Sequence, residues 1–180
     1  MANPNAPFGF RPTMRTFTGG SGTILPTCKL VGYGTALFVW DAVTHAAAAI
    51  KPVQAVDAAI TPGTTPVAGV NLIYQAASLA TDGEMVVAKD AVFVVAGDGT
   101  GATFLVAASL SKTANIALTA GNATTKQSKH SLSETSLATT NTLDLKVRGL
   151  FQDGQNILGQ YAKVFVTFNN LVESDQKAGI

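Results

Sequence analysis

Short runs of apolar residues, separated by turn residues, recur along most of the chain. Residues 67–75 and 84–96 are rich in valine and other apolar side chains, and Pro66, Gly83 and Gly97 lie at their borders. Short runs at spacings of about ten residues, with glycine and proline between them, are typical of a β-sandwich or a β-barrel. The pattern therefore predicts an all-β fold of one of these two kinds.

The strongest strand signal lies near the carboxyl-terminal end. Two β-type runs between residues 141 and 170 flank an Asp-Gly turn, which is a hairpin signal when the flanking runs are β-branched and aromatic. On the returning run, alternation places Val164 and Val166 on one face and Phe165 on the other. Both faces of this closing hairpin are apolar, so we expect it to be central in its sheet or covered by a partner.

The first residues of the chain have a different character. Three prolines within the first twelve residues disfavour helix, and Phe8 and Phe10 lie between them. We interpret residues 1–22 as an extended arm whose aromatic side chains anchor on another chain, followed by a single β-rich domain over residues 23–180. The alternative is a leader whose phenylalanines fold back on their own domain.

Three segments carry weaker signals. Residues 44–60 combine an alanine run that favours helix with a proline and valines that do not, and the balance favours strand. Residues 84–96 fit either one long strand or a tight hairpin about Lys89. Residues 109–140 are polar with weak periodicity, which predicts a loop-rich surface excursion with a short helix near Lys112.

Charge is scarce and balanced in this chain. Charged residues make up 13% of it, against about 25% in typical domains. A surface with so little charge predicts that neighbouring subunits cover part of it. The net charge of +1 provides no basic field for nucleic acid, and no apolar stretch reaches the roughly 20 residues that span a bilayer. The amino-terminal residues lack a signal-peptide pattern, so we expect synthesis in a cytoplasm and neither nucleic acid nor membrane as a partner.

One motif superficially suggests nucleotide binding. Residues 97–102, Gly-Asp-Gly-Thr-Gly-Ala, fit a loose GxGxxA pattern directly after an apolar run. That chemistry requires a helix after the glycines and an acidic residue about 20 positions later. The following run favours a strand, and residues 115–125 contain no carboxylate. The motif therefore predicts a β-turn.

The residues that commonly carry catalysis are scattered. His45 and His130 are far apart and lack metal-ligand spacing, and Cys28 is the only cysteine. His130 lies among serines but without a nucleophile elbow. We predict a protein that is not an enzyme and uses no cofactor or metal. A small enzyme on a β scaffold stays an alternative, and it would need His45 or His130 beside a carboxylate and a nucleophile.

Both ends of the chain resemble a known family. The opening Phe-Gly-Phe-Arg-Pro of residues 8–12 and the closing GLFQDGQNILGQYAKVFVTFNN of residues 149–170 are similar to the ends of tailed-bacteriophage head decoration, or cement, proteins. The run Gly-x-Tyr-Ala-Lys-Val-x-Val, followed by Asn-Asn, carries most of the resemblance. The middle of the chain takes no part in it.

The resemblance implies a β-rich homotrimer on the outer surface of a virion head, where it stabilises the junctions between capsomers. Its partners would be the major capsid protein and other copies of itself. The candidate capsid contacts lie in the arm and are Phe8, Phe10, Arg11 and Pro12. Another virion module, such as a tail-tube, head-fibre or adhesin part, is the alternative with the same β architecture and low charge.

Overall fold

The computed structural model describes residues 3–16, 22–29, 35–45, 54–57, 59–77, 82–89, 91–100 and 105–172. The fold is all-β, as the sequence predicts. Within these ranges the only helical elements are two 3-10 turns, Ala107–Ser109 and Glu134–Ser136. No helix among these residues is long and apolar enough to cross a bilayer.

The strands form one open sheet, one closed barrel and one small ribbon. In chain order they are β1 (Arg11–Thr16), β2 (Ile24–Lys29), β3 (Ala42–His45), β4 (Gln54–Asp57), β5 (Gly69–Asn71), β6 (Asp82–Val87), β7 (Ala91–Ala96), β8 (Thr113–Ala114), β9 (Ile116–Ala117), β10 (Ser131–Leu132), β11 (Leu145–Leu150) and β12 (Lys163–Phe168). The open sheet has the order β1-β7-β12-β11-β8, the barrel closes as β2-β4-β3-β5-β6, and β9 pairs with β10.

The closing hairpin lies inside the open sheet, which confirms the first of its two expected settings. β11 and β12 pair antiparallel, with a bulge between Val147 and Gly149, and β12 pairs with β7 on its other side. Val164 and Val166 are wholly buried in the main core, where they face the same way as Phe93 of β7. On the opposite face of β12, Phe165 is only half-buried.

The amino-terminal segment belongs to this domain, so the prediction of a protruding arm is wrong for the part that the structure describes. β1 forms the edge of the open sheet, and Pro12 is tolerated there because an edge strand needs only one row of ladder hydrogen bonds. Phe10 is wholly buried, and its ring centroid lies 5.0 Å from that of Phe168. The phenylalanines fold back on their own domain. Residues 1–2 and 17–21 of the predicted arm lie outside the described residues.

The run 84–96 is neither one long strand nor a hairpin. β6 pairs with β2 and β5 in the barrel, whereas β7 pairs with β1 and β12 in the open sheet. The chain passes from one unit to the other at Lys89. In the ambiguous segment 44–60, β3 ends at His45 and β4 is a strand, while residues 46–53 lie outside the described residues.

Residues 109–140 are a surface excursion only in part: residues 118–120 and 123–127 are exposed, but most of the rest is built into the domain. They supply β8, β9 and β10, and Ala114, Ile116 and Leu132 are buried in the main core. Thr113 is buried there too because its hydroxyl group is satisfied: it lies 3.0 and 2.7 Å from the carbonyl oxygens of Ala138 and Thr140. The short helix expected near Lys112 is the 3-10 turn Ala107–Ser109.

Candidate docking groove

A groove of about 960 Å³ opens on the outer face of the open sheet, and we call it the docking groove. Its floor follows the strand register. Arg11 of β1 is opposite Val94 of β7, and Val94 is opposite Phe165 of β12. The lining residues are Pro4, Ala6, Phe8, Arg11, Pro12, Thr13, Trp40, Val94, Gln127, Phe151, Asp153, Lys163 and Phe165.

The floor is aromatic because β12 places Phe165 on its outer face, between Lys163 and Thr167. Side chains alternate along β12, so burial of Val164 and Val166 in the core directs Phe165 outward. Phe151 follows β11 beside Lys163, and its ring packs edge to face on Phe165 at a centroid distance of 5.4 Å. The two rings present a partly exposed aromatic surface.

The two ends of the chain are tied together at this groove. The side-chain amide of Asn3 donates to the carbonyl oxygens of Ile157 and Gln160 at 2.8 and 2.9 Å, and its oxygen accepts from the Ile157 amide at 3.2 Å. Asn3 and Ile157 are 154 positions apart in the sequence. These bonds hold the segment that carries Phe8 against the loop between β11 and β12.

Trp40 forms one wall and has an unusual backbone. Its φ of 72° lies in the left-handed region, which bulky residues rarely adopt. Its carbonyl oxygen accepts from the Phe10 amide at 2.9 Å, and its own amide donates to the Asn71 carbonyl at 2.7 Å. The Phe8 ring packs edge-on against the indole, and the Arg11 guanidinium lies 5.8 Å from its centroid. Strain of this kind persists only where surrounding contacts enforce it.

A buried polar cluster next to Trp40 helps to hold its backbone in this conformation. Asp41 Oδ1 faces His130 Nε2 at 3.5 Å, Asp41 Oδ2 accepts from the Phe38 amide at 2.8 Å, and the Ser128 hydroxyl also bonds this carboxylate. The Ala42 amide donates to His130 Nδ1 at 3.4 Å. An imidazole that accepts at Nδ1 carries its proton on Nε2, so neutral His130 directs that proton towards Asp41.

Burial governs the titration of this pair. Desolvation raises the pKa of Asp41, against the opposing effects of His130, Ser128 and the Phe38 amide. Desolvation also lowers the pKa of His130, and the Asp41 charge opposes that shift. Both directions agree with a neutral His130.

The cluster brings together the residue types that the enzyme alternative required, but in a different arrangement. In a catalytic triad the histidine lies between serine and aspartate. Here Asp41 lies between Ser128 and His130, and the remaining imidazole nitrogen is occupied by a backbone amide. All three side chains are buried. The arrangement stabilises the backbone next to Trp40. His45 takes no part in it and lies at the end of β3.

Over its described residues, 97–100, the glycine-rich motif consists of an isolated bridge from Gly97 to Leu132 followed by irregular backbone. The β-turn predicted for it extends into residues 101–102, which lie outside the described residues. Asp98 Oδ1 accepts from the Thr100 amide at 3.1 Å and from the Glu134 amide at 3.2 Å. The motif therefore joins the end of β7 to the 3-10 turn Glu134–Ser136. Among the described residues, no three histidine, cysteine, aspartate or glutamate side chains gather as metal ligands do.

Glu134 is wholly buried against Gly97, and its carboxyl oxygens have no hydrogen-bond partner of good geometry. Burial raises its pKa to about 7; the charge of Asp98 adds to the rise, and the Tyr161 amide opposes it. The folded chain thus holds this proton more tightly than the unfolded chain, where the pKa is near 4.5. The proton-linked stability is present below pH 4.5 and is lost as the pH rises to about 7.

We expect Glu134→Gln to remove this pH dependence. The wild-type free energy of unfolding should fall by roughly 1–3 kcal/mol, relative to the variant, between about pH 4.5 and 7.5. Urea denaturation of both proteins across this range measures the difference. Parallel pH profiles for the two proteins would show that Glu134 titrates normally in the folded state.

Three of the four predicted contact residues, Phe8, Arg11 and Pro12, line the docking groove. Phe10 does not, because it is a core residue. Sequence reasoning did not include Trp40 or Phe151 in the site. Phe165 could have been included, because the sequence placed it on an apolar face of the hairpin for which no packing partner had been identified.

Comparison with known proteins gives no relative on which to base an assignment. No protein-family model matches the chain, and neither the curated proteins nor the solved structures include a match.

Proposed function

We propose that this chain is a non-enzymatic virion structural protein that binds the outer surface of a tailed-bacteriophage head as a decoration, or cement, protein. One observation carries the proposal. The two segments that resemble that family, residues 8–12 and 149–170, come from opposite ends of the chain and both contribute to the docking groove. A shared contact surface would explain why the resemblance is confined to these two segments.

The chemistry of the groove suits a protein contact. Aromatic residues and arginine are enriched in the buried centres of protein interfaces, and the groove presents Phe8, Trp40, Phe151 and Phe165 together with Arg11. Each aromatic side chain is half-buried, so it is held in position while part of its surface is available. These are the properties of anchor residues.

The proposed mechanism is attachment through several modest contacts at once. In a homotrimer each groove would bind the major capsid protein, and the first attachment would raise the effective concentration of the other two. A trimer that engages neighbouring capsid subunits would resist their separation by the pressure of packaged DNA. We place the protein on the outer surface of the virion, after synthesis in the host cytoplasm.

Binding to undecorated, expanded heads tests the proposal. The heads should come from the phage whose genome encodes this chain, and co-sedimentation should show saturable binding with a fixed number of copies per capsomer. Deletion of the amino-terminal segment is a poor test, because it removes the core residue Phe10. If the folded wild-type protein does not bind such heads, the proposal is wrong.

An adhesin module is the second candidate, because aromatic and polar side chains meet in one groove. Sugar binding usually needs an accessible aromatic face and free polar groups. Here Phe8 packs edge-on against Trp40, and Lys163 and Asp153 pair with each other at 2.7 Å. These contacts favour the protein partner.

A further inference from the structure

We propose that the docking groove binds an extended segment of the major capsid protein, with an apolar side chain on Phe165 and a carboxylate paired with Arg11. The inference rests on the proposed function and adds the chemistry of the partner segment. The shape of the sheet surface and the charge in the groove support it.

The sheet surface has a bare position next to the groove, beside the lining residue Phe165. Phe165 is opposite Gly149 of β11, and a Cβ added at Gly149 would meet no atom within 4 Å. Glycine inside a strand weakens the sheet and commonly marks a place where another backbone approaches closely. The fourth position of the row Arg11, Val94, Phe165 and Gly149 therefore allows a chain to lie directly on the sheet.

The size of this row sets the size of the bound segment. Four neighbouring strands at about 4.8 Å spacing make a row about 14 Å long. A strand rises about 3.3 Å per residue, so an extended segment of about four residues spans the row. A segment of this length can place apolar side chains on the floor while its backbone stays flat on Gly149.

The charge in the groove predicts an acidic residue in that segment. Lys163 has a partner, because its ammonium group lies 2.7 Å from Asp153. Arg11 is exposed, and no carboxylate of the described residues lies within ion-pair distance of it. The guanidinium is held over Trp40 by a cation–π contact, which fixes its position near the row. One positive charge in the groove is thus left for a carboxylate of the partner.

Two substitutions test this directly. Gly149→Trp fills the bare position, which lies in a strand and has an ordinary φ, and Arg11→Glu reverses the charge that is left for the partner. Each should weaken binding to undecorated heads by about tenfold or more. The matched controls are Thr139→Trp and Lys89→Glu, which change exposed residues that do not line the groove, and these should bind within about twofold of wild type.

Thermal melts should first show that all four variants are folded. If wild-type protein binds heads and both groove variants bind equally well, the groove inference is wrong while the proposed function stands. If wild-type protein does not bind heads, the proposed function itself fails.

A photo-crosslinking amino acid in place of Gln127, an exposed residue of the groove wall, identifies the bound segment while Gly149 stays bare. We expect it to cross-link, on decorated heads, to one extended stretch of the major capsid protein that contains aspartate or glutamate. Reversal of that acidic residue to arginine should restore binding of Arg11→Glu. Cross-links only to another copy of this chain, or glycan-array binding that Gly149→Trp abolishes, would overturn the inference.

Discussion

Replacement of Phe10 by alanine is expected to lower the free energy of unfolding by about 3–5 kcal/mol. Phe10 is wholly buried and packs against Phe168, so alanine leaves a cavity in the main core. Natural domains are stable by only about 5–15 kcal/mol, so the variant should be close to unfolding. Urea denaturation followed by circular dichroism measures the change.

Phe8→Ala is the matched control for Phe10→Ala. Phe8 is half-buried and packs edge-on against Trp40, so we expect a loss of only about 1 kcal/mol. The same small loss for both variants would mean that the amino-terminal segment does not pack on its own domain. In that case a protruding arm would again be the better description.

The second large effect is expected from Asp144→Ala. This wholly buried carboxylate accepts from the Gly63 amide at 2.9 and 3.0 Å, from the Ile116 amide at 3.1 Å and from the Asn170 side chain at 3.4 Å. Desolvation raises its pKa, while these donors oppose the rise. Without Asp144 the donors lose their acceptor, which should cost roughly 3–5 kcal/mol. Urea denaturation at neutral pH measures this loss.

Glu84→Ala provides the comparison, because Glu84 is an exposed acidic residue on β6. Its free energy of unfolding should stay within about 0.5 kcal/mol of wild type. Comparable stability of Asp144→Ala and Glu84→Ala would refute the view that Asp144 joins the turn before β5, the start of β9 and the end of β12.

The closing hairpin was predictable because its strands are long enough for alternation to be visible. The six-residue strand β12 has valine at alternate positions, and this defines a core face with Val164 and Val166 and an outer face with Phe165. The same pattern also indicated that something must lie against the outer face. That face is the floor of the docking groove.

The environment of Phe10 was not predictable from local pattern. Prolines indicate an extended backbone, but an edge strand such as β1 is also extended. Whether an extended segment pairs with its own sheet or reaches another chain depends on long-range contacts, here with β7 and with Phe168. The buried parts of residues 109–140 were missed for a related reason: their strands are two residues long, and their buried threonine and serine side chains form specific hydrogen bonds.

The candidate site was predictable only in part. Phe8, Arg11 and Pro12 stood out as an aromatic and basic group near the start of the chain. Their association with Phe151 and Phe165 depends on the pairing of β1 and β12 on either side of β7, which no local signal in the sequence reveals. Trp40 entered the site because a left-handed backbone conformation places its ring against Phe8.

The most direct test is a cryo-EM reconstruction of heads decorated with this protein. We predict that the docking groove faces the capsid and that an extended segment of the major capsid protein fills it, crossing Gly149 and Phe165 with a carboxylate beside Arg11. A decorated head in which this groove is open to solvent, with the protein attached through another face, would contradict the account.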